Sequence, residues 1–371
     1  MSLSLLIILH ELGHFIPARI FKTRVEKFFL FFDVKFALFK KKIGETTYGI
    51  GWLPLGGYVK ISGMIDESMD TEQMQQPAKP WEFRSKPAWQ RLIIMLGGVT
   101  VNLILGFLIY IMILFVWGKN TLYTEALPLG LDPSPTAKQI GFETGDQLIT
   151  VDGKKLDNVL EINKLLFLRS VESVTVKHSN GKTEQLSIPE NFGNQMFESG
   201  ELMPFSPVIP AIIDSILPNS VAAKSGLMPN DKLISVDDSK ISNWTDFKNE
   251  MADKSQTYRM VYERNRSIDT LQITSDKEGK LGVYPQVSSI QFTNEKLGIM
   301  SSIEEGISFG YWTLHDYIAQ FKYIFTKKGA SQLGGFGAIG NMFPATWDWK
   351  GFWASTALIS IILAFMNIFP I

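Results

Sequence analysis

The motif HELGH at residues 10–14 lies inside an apolar run, and no other feature constrains this chain as strongly. His10 and His14 are four residues apart, so in a helix both imidazoles project from one face. This spacing suits a tetrahedral zinc site in which Glu11 is the general base for a metal-bound water. The flanking residues 5–9 and 15–18 are apolar, which indicates a helix inside a membrane.

The alternative is a pair of core histidines that share helical spacing without binding a metal. Ionisable residues inside a bilayer are costly and usually functional, which favours the zinc interpretation. Two histidines do not complete a catalytic zinc site, because such a site needs a third protein ligand.

Two further segments are apolar enough to span a bilayer. Residues 92–117 carry no charge and exceed the roughly 20 residues that a span requires. Residues 354–371 form a second uncharged stretch. We therefore predict a first transmembrane helix at 1–24, a second at 91–117 and a third at 354–371. We expect the first to lack its outer end and the third to be truncated.

Basic residues between the first and second spans set the predicted topology. They are Arg19, Lys22, Arg24, Lys27, Lys40, Lys41, Lys42, Lys79, Arg84, Lys86 and Arg91. By the positive-inside rule this loop is cytoplasmic, and the chain after residue 117 lies on the opposite side. The net charge of −1 gives no indication of a nucleic-acid partner.

The cytoplasmic loop divides into a predicted β-hairpin and a linker. Residues 25–63 alternate apolar and aromatic runs with glycines, which is typical of a membrane-associated hairpin. Gly56 and Gly57 permit close backbone approach, so an open strand edge here could bind an unwound substrate segment by β-addition. The alternative is a hairpin that only seals the domain. Residues 64–90 form the linker, whose first part is polar.

An internal repeat occupies the segment beyond the second span. Shifting the chain by 85 positions aligns residues 133–155 with 218–240, including a D-x-L-I-x-V-D pattern that begins at Asp146 and at Asp231. A repeat of this kind indicates two copies of one small domain. The pattern resembles the PDZ family, which implies PDZ domains at 125–205 and 206–285. Such domains bind peptide termini, or here serve only as a spacer or size filter.

An amphipathic helix is predicted at 300–328. Its apolar residues Leu314, Ile318, Phe321 and Phe325 recur at helical spacing, opposite Asp316, Gln320 and Lys322. Such a helix is suited to the membrane surface, or it packs against the second repeat. The other two histidines, His178 and His315, are expected to be ordinary surface residues.

Taken together, these features resemble the site-2 protease family, in its bacterial sigma-E-regulating type with tandem PDZ domains. The family order runs from the HExxH motif through PLGGYVK at residues 54–60 and the two repeats to an N-x-x-P motif at 367–370. The resemblance implies an inner-membrane zinc protease that cuts transmembrane segments. Its substrate would be a membrane protein such as an anti-sigma factor, already cut on its outer side.

The resemblance also implies a role for individual residues. His10 and His14 match the zinc ligands, and Glu11 matches the base. The third ligand of the family is an Asp that is expected just beyond Ile371, so we expect this chain alone to be inactive. Asn102 and Asn367 match asparagines that handle the substrate backbone, or they form interhelical hydrogen bonds instead.

The sequence therefore predicts a multi-domain membrane protein. It has an α-helical zinc-protease core, a membrane-associated β-hairpin, two α+β PDZ domains on the periplasmic side and an amphipathic helix. The predicted function is an intramembrane zinc endopeptidase of the inner membrane, with the lipid bilayer and a transmembrane protein substrate as partners. The alternative is a membrane-anchored PDZ scaffold or chaperone without protease activity.

Overall fold

The structure, a computed structural model, describes residues 2–64, 77–251, 255–287, 290–324, 326 and 346–368. The chain forms two compact units, of which one is Met1–Lys119 with Lys296–Ile371 and the other is Asn120–Glu295. Residues 65–76 of the predicted linker, Phe325 of the predicted amphipathic helix and Pro370 lie outside the described residues.

The helices in this part of the chain are α1 (Ser2–Ile20), α2 (Ala88–Trp117), α3 (Pro135–Lys138), α4 (Glu161–Leu168), α5 (Phe192–Ser199), α6 (Val221–Lys224), α7 (Trp244–Glu250), α8 (Ile299–Ile324) and α9 (Trp349–Met366). The strands are β1 (Val25–Ile43), β2 (Thr46–Ile61), β3 (Lys119–Thr121), β4 (Leu131–Pro133), β5 (Gln147–Val151), β6 (Ser173–Lys177), β7 (Thr183–Ser187), β8 (Phe205–Pro207), β9 (Ile213–Ile216), β10 (Lys232–Val236), β11 (Ser239–Lys240), β12 (Thr257–Arg264), β13 (Ser267–Thr274), β14 (Val283–Pro285) and β15 (Thr293–Glu295).

Among the described residues, three helices, α1, α2 and α9, are long and apolar enough to cross a membrane. Helix α2 ends where Gly118 adopts a φ of 75°, a left-handed conformation that side chains disfavour. Helix α9 packs on α2 so closely that a Cβ at Gly106 would lie 2.7 Å from the Ile361 side chain. The hydroxyl of Ser360 also donates a 2.7 Å hydrogen bond to the Asn102 carbonyl.

Strands β1 and β2 form a strongly bent antiparallel pair around a turn at Gly44, whose φ is 61°. Because of the bends, residues 27–30 of β1 pair with both halves of β2, the nearer half at 47–50 and the farther half at 57–60. Val25, Val59 and Ile61 of this pair join Ala18 and Ile94 in one buried cluster. This cluster attaches the hairpin to the helices that carry the HExxH motif.

The second unit repeats one order of elements. Its first half runs β4–α3–β5–α4–β6–β7–β8 and its second half runs β9–α6–β10–α7–β12–β13–β14, apart from the inserted α5 and β11. In the first half, β5, β6 and β7 form an antiparallel sheet and β4 pairs with β8. In the second half, β10, β12 and β13 form the corresponding sheet and β9 pairs with β14. Each half has its own buried apolar cluster.

Helix α8 corrects the predicted exposure of Asp316. Asp316, predicted on the polar side, is 3% exposed, whereas Ile318, on the apolar side predicted to face the membrane surface or the second repeat, is 46% exposed. The helix packs along α2, and it also contacts α9.

Candidate active site

The two histidines of the HExxH motif converge as their spacing predicts. Helix α1 places the Nε2 atoms of His10 and His14 3.3 Å apart, with the rings nearly perpendicular. Two nitrogens that each lie about 2.0–2.1 Å from one tetrahedral metal ion are about 3.3–3.4 Å apart. The pair therefore fits a zinc ion without rearrangement. No third His, Asp or Glu ligand atom joins them within 4.8 Å in the described part of the chain.

Helix α2 supplies the partner that orients His14. The Nδ1–H group of His14 donates a 2.7 Å hydrogen bond to the Ile94 carbonyl. A neutral imidazole that donates from Nδ1 keeps the lone pair on Nε2. This carbonyl therefore fixes the tautomer that a metal ligand requires, as a neighbouring acceptor commonly does for metal-binding histidines.

Asn102 on α2 contacts the other ligand. Its side chain is 1% exposed, and its Nδ2 atom lies 3.1 Å from Nδ1 of His10. Its Oδ1 atom has no hydrogen-bond partner among the residues the structure describes. The two ends of an amide can be exchanged by rotating it by 180°. With this rotation, Oδ1 accepts from His10 Nδ1–H and leaves Nε2 of His10 free for a metal.

Glycines let α2 approach the two histidines. A Cβ built on Gly98 would lie 2.4 Å from His14 Nε2 and 2.7 Å from His10 Nε2. A Cβ on Gly97 would overlap the carbonyl of Gly13. Two adjacent glycines in a helix are consistent with such close packing. The specific placement of Gly98 against both ring nitrogens is not visible in the sequence, because it depends on the register between α1 and α2.

A cavity of about 400 Å³ opens beside the histidines, between α1 and the bent hairpin. Glu11, 9% exposed, lines it together with both histidines and residues 57–61 of β2. A Cβ on Gly57 would lie 2.5 Å from the Ile7 side chain and 3.6 Å from Cγ of Glu11. Gly57 thus brings the β2 backbone against α1.

The remaining predicted site residues are not brought to this cavity. A Cβ built on Gly56 would lie 2.8 Å from the ring of Phe32, which belongs to the hairpin itself. Asn367 is exposed at the end of α9, where its backbone N–H donates to the Leu363 carbonyl.

A second His–carboxylate group lies in the other unit, and it shows that the surface assignment of His178 is wrong. His178 is 5% exposed, and its Nδ1 lies 2.7 Å from Oδ1 of the buried Asp146. Carboxylates of Glu143 and Glu184 lie 3.8 and 3.7 Å from its ring. The hydrogen bond to Asp146 raises the pKa of His178, and the acidic neighbours add to the effect.

The corresponding carboxylate in the second half of the unit has a different cation. Asp231, which aligns with Asp146, accepts two 2.7 Å hydrogen bonds from Arg264. Each Asp also accepts a hydrogen bond from a backbone N–H three residues earlier in the chain. The His178–Asp146 contact therefore corresponds to the Arg264–Asp231 ion pair of the second half. One possible ligand atom each of His178, Asp146 and Glu143 also lies within 4.8 Å of the other two.

Comparison with known proteins agrees with this geometry. The family model described as peptidase family M50 matches residues 1–371. The chain belongs to peptidase family M50. The site-2 protease assignment from the sequence is thereby confirmed.

Individual relatives carry names consistent with this family. The regulator of sigma E protease of Haemophilus influenzae is 26% identical over 100% of this chain and 86% of its own length. Two proteins with zinc metalloprotease names are also similar. That of Borreliella burgdorferi is 25% identical over 100% of this chain and 84% of its own length. That of Thermotoga maritima is 32% identical over 53% of this chain and 38% of its own length. These names agree with the zinc that the two histidines predict.

Proposed function

We propose that this chain is the core of an intramembrane zinc endopeptidase that cleaves transmembrane segments of membrane proteins. One observation carries the proposal, namely the 3.3 Å separation of two imidazole Nε2 atoms on a membrane-type helix. His10 and His14 would hold the zinc ion, which supplies Lewis-acid activation of a water molecule. Ile94 would keep Nε2 of His14 unprotonated, and Asn102 would do so for His10 with its amide rotated so that Oδ1 accepts from Nδ1–H.

Glu11 is the general base in this proposal. It follows His10 on α1 and lines the same cavity as both ligands. A carboxylate there takes a proton from the attacking water and passes it to the amine that leaves. Glu11 is largely buried, so little bulk water competes with its carboxylate for the proton.

The hairpin would hold the substrate in an extended form. A helical peptide bond must unwind before it is cut, and its freed N–H and C=O groups then need polar partners inside lipid. Residues 57–61 pair with β1 on one side, and in the described part of the chain they form the outer strand of this sheet. The outer edge lines the cavity, so an added substrate strand would lie beside Glu11 and the histidines.

Asn102 would serve both the metal site and the substrate. When its Oδ1 accepts from His10, its N–H groups become donors for the carbonyl oxygen of an unwound substrate. Gly57 contributes by letting the substrate strand approach, and Gly56 and Asn367 are proposed as more distant substrate contacts.

The proposed location is the inner membrane, with the basic hairpin region in the cytoplasm. The two halves of the second unit would be periplasmic PDZ domains that restrict access to substrates already cut on the outer side. The sigma-E regulator name of the Haemophilus relative supports an anti-sigma factor as the substrate. The repeated element order supports the PDZ assignment.

Cleavage of a transmembrane substrate by the full-length gene product in its membrane tests the proposal. Glu11→Gln should abolish cleavage and retain zinc, because the amide cannot accept the proton while the ligands are unchanged. The matched control is Glu45→Gln, since the Glu45 side chain is 63% exposed in the hairpin turn. Cleavage that survives Glu11→Gln would favour the scaffold alternative for this chain.

A further inference from the structure

Helix α8 packs against α2 over a long, close and antiparallel contact. A Cβ on Gly306 would lie 2.8 Å from the Ile111 Cα atom, and a Cβ on Gly310 would lie 2.8 Å from the Phe107 ring. As the residue number rises along α8, the contacted residue number falls along α2. Such close backbone approach through small residues is typical of helix pairs in membranes.

The contact continues to the far end of α8. The rings of Tyr317 and Phe321 lie 5.6 and 5.1 Å from the ring of Phe365 on α9. From Gly306 to Phe321 the packed length is about 22 Å at the helical rise of about 1.5 Å per residue. This length is roughly three quarters of the hydrocarbon thickness of a bilayer, about 30 Å.

The exposed side chains of α8 over the packed segment are mainly apolar, with Ser308 and Gln320 exposed among them. Ile307, Tyr311 and Ile318 are 49%, 55% and 46% exposed, whereas Ser302 and Asp316 are 0% and 3% exposed. This distribution is the reverse of a helix that lies against water. The Asp316 carboxylate lies 3.2 Å from Nδ1 of His315, and acyl chains suit the exposed apolar side chains.

Charges lie at the two ends of the packed segment. Glu305, before Gly306, forms a 3.1 Å ion pair with Lys119, which follows the end of α2. Lys322 is exposed after Phe321. Between them the buried Asp316 is the single charged residue. Both ends of the packed segment thus carry charged residues.

The geometry points to α8 as a fourth membrane-embedded helix, with Ile307, Tyr311 and Ile318 in contact with lipid acyl chains. It would not lie on the membrane surface. The mean hydropathy of α8 is below that of the three candidate spans, and its charged and polar residues contribute to this. The inference rests on the proposed membrane location of α2, and its test separates the two.

The sequence has no cysteine, so single thiols report on this helix without a background. Ile307→Cys, Tyr311→Cys and Ile318→Cys are treated with a membrane-impermeant maleimide in intact cells and in inverted membrane vesicles. We expect labelling from either side at least tenfold slower than for Lys240→Cys, an exposed position in the second unit. Full labelling after solubilisation and denaturation shows that each thiol is present.

Leu108→Cys on α2 is the matched control, since Leu108 is apolar and 55% exposed. Fast labelling at Ile307, Tyr311 and Ile318 with protection at Leu108 would overturn the inference and leave the proposed function intact. Fast labelling at Leu108 as well would contradict the membrane location itself. Because these thiols replace outward side chains, they leave the contact with α2 unchanged.

Discussion

Gly98→Ala is the smallest change that should disable the proposed metal site. The added methyl carbon would lie 2.4 Å from His14 Nε2 and 2.7 Å from His10 Nε2. Ordinary contacts of carbon with its neighbours begin near 3.5 Å, so the rings or α2 must shift by about 1 Å. Zinc–ligand distances tolerate changes of only about 0.2 Å. The required shift is therefore several times larger than the tolerance of the site.

The expected loss follows from this mismatch. Removing an outer partner of a metal ligand typically lowers metal affinity by 10- to 100-fold. A methyl group placed against both ligands should have at least the upper effect, about 100-fold, which corresponds to about 2.8 kcal/mol of binding free energy. The assay is competition for zinc between the purified, solubilised protein and a chelator of known affinity.

The matched control is Gly298→Ala, because a Cβ at Gly298 has no neighbour within 4 Å. Its zinc affinity should equal that of the unchanged protein. Thermal unfolding of both variants shows whether the fold is retained. A zinc affinity of Gly98→Ala within about threefold of the unchanged protein would refute the argument, because the methyl group would then fit without displacing the two histidines.

Three further predictions concern other parts of the chain. Because hydrogen bonding to Asp146 raises the pKa of His178, its stabilisation is complete below the unfolded value of about 6.5 and is lost as the pH rises through the higher folded value. Thermal unfolding between about pH 5.5 and 8.5, a range around the ordinary histidine pKa of about 6.5, should show this loss of stability. His178→Arg places an arginine where the second half has Arg264, and it should abolish this pH dependence. A pH dependence equal in both proteins would count against the pairing. Asn102→Ala should lower zinc affinity by about 10- to 100-fold in a chelator titration, and an unchanged affinity would show that Asn102 does not orient His10. Deleting residues 125–275 should let intact substrates be cut, as seen by the size of the cleavage products, whereas unchanged selectivity would rule out the proposed filter.

The sequence predicted the local part of the site because that part is set by helical spacing. His10, Glu11 and His14 lie within two turns of one helix, so no long-range information is needed to bring them together. The Asn102 contact with His10 joins residues 92 positions apart, and it depends on how α1 and α2 pack. The role of Gly98 depends on the same register.

Two predictions failed for a shared physical reason. Burial of His178 and burial of Asp316 both depend on what surrounds an element rather than on its own sequence. His178 follows a strand whose end meets the Asp146 loop, which the repeat alone does not reveal. For α8, helical spacing separates a polar face from an apolar face, but it does not show which residues pack on α2.

The central claim is that His10 and His14 jointly hold a zinc ion. Elemental analysis of the full-length protein purified from membranes tests it most directly. We expect about one zinc per chain in the unchanged protein and in Glu11→Gln, and essentially none when both histidines are replaced by alanine. Equal zinc contents with and without the two histidines, or no zinc in the unchanged protein, would contradict the account.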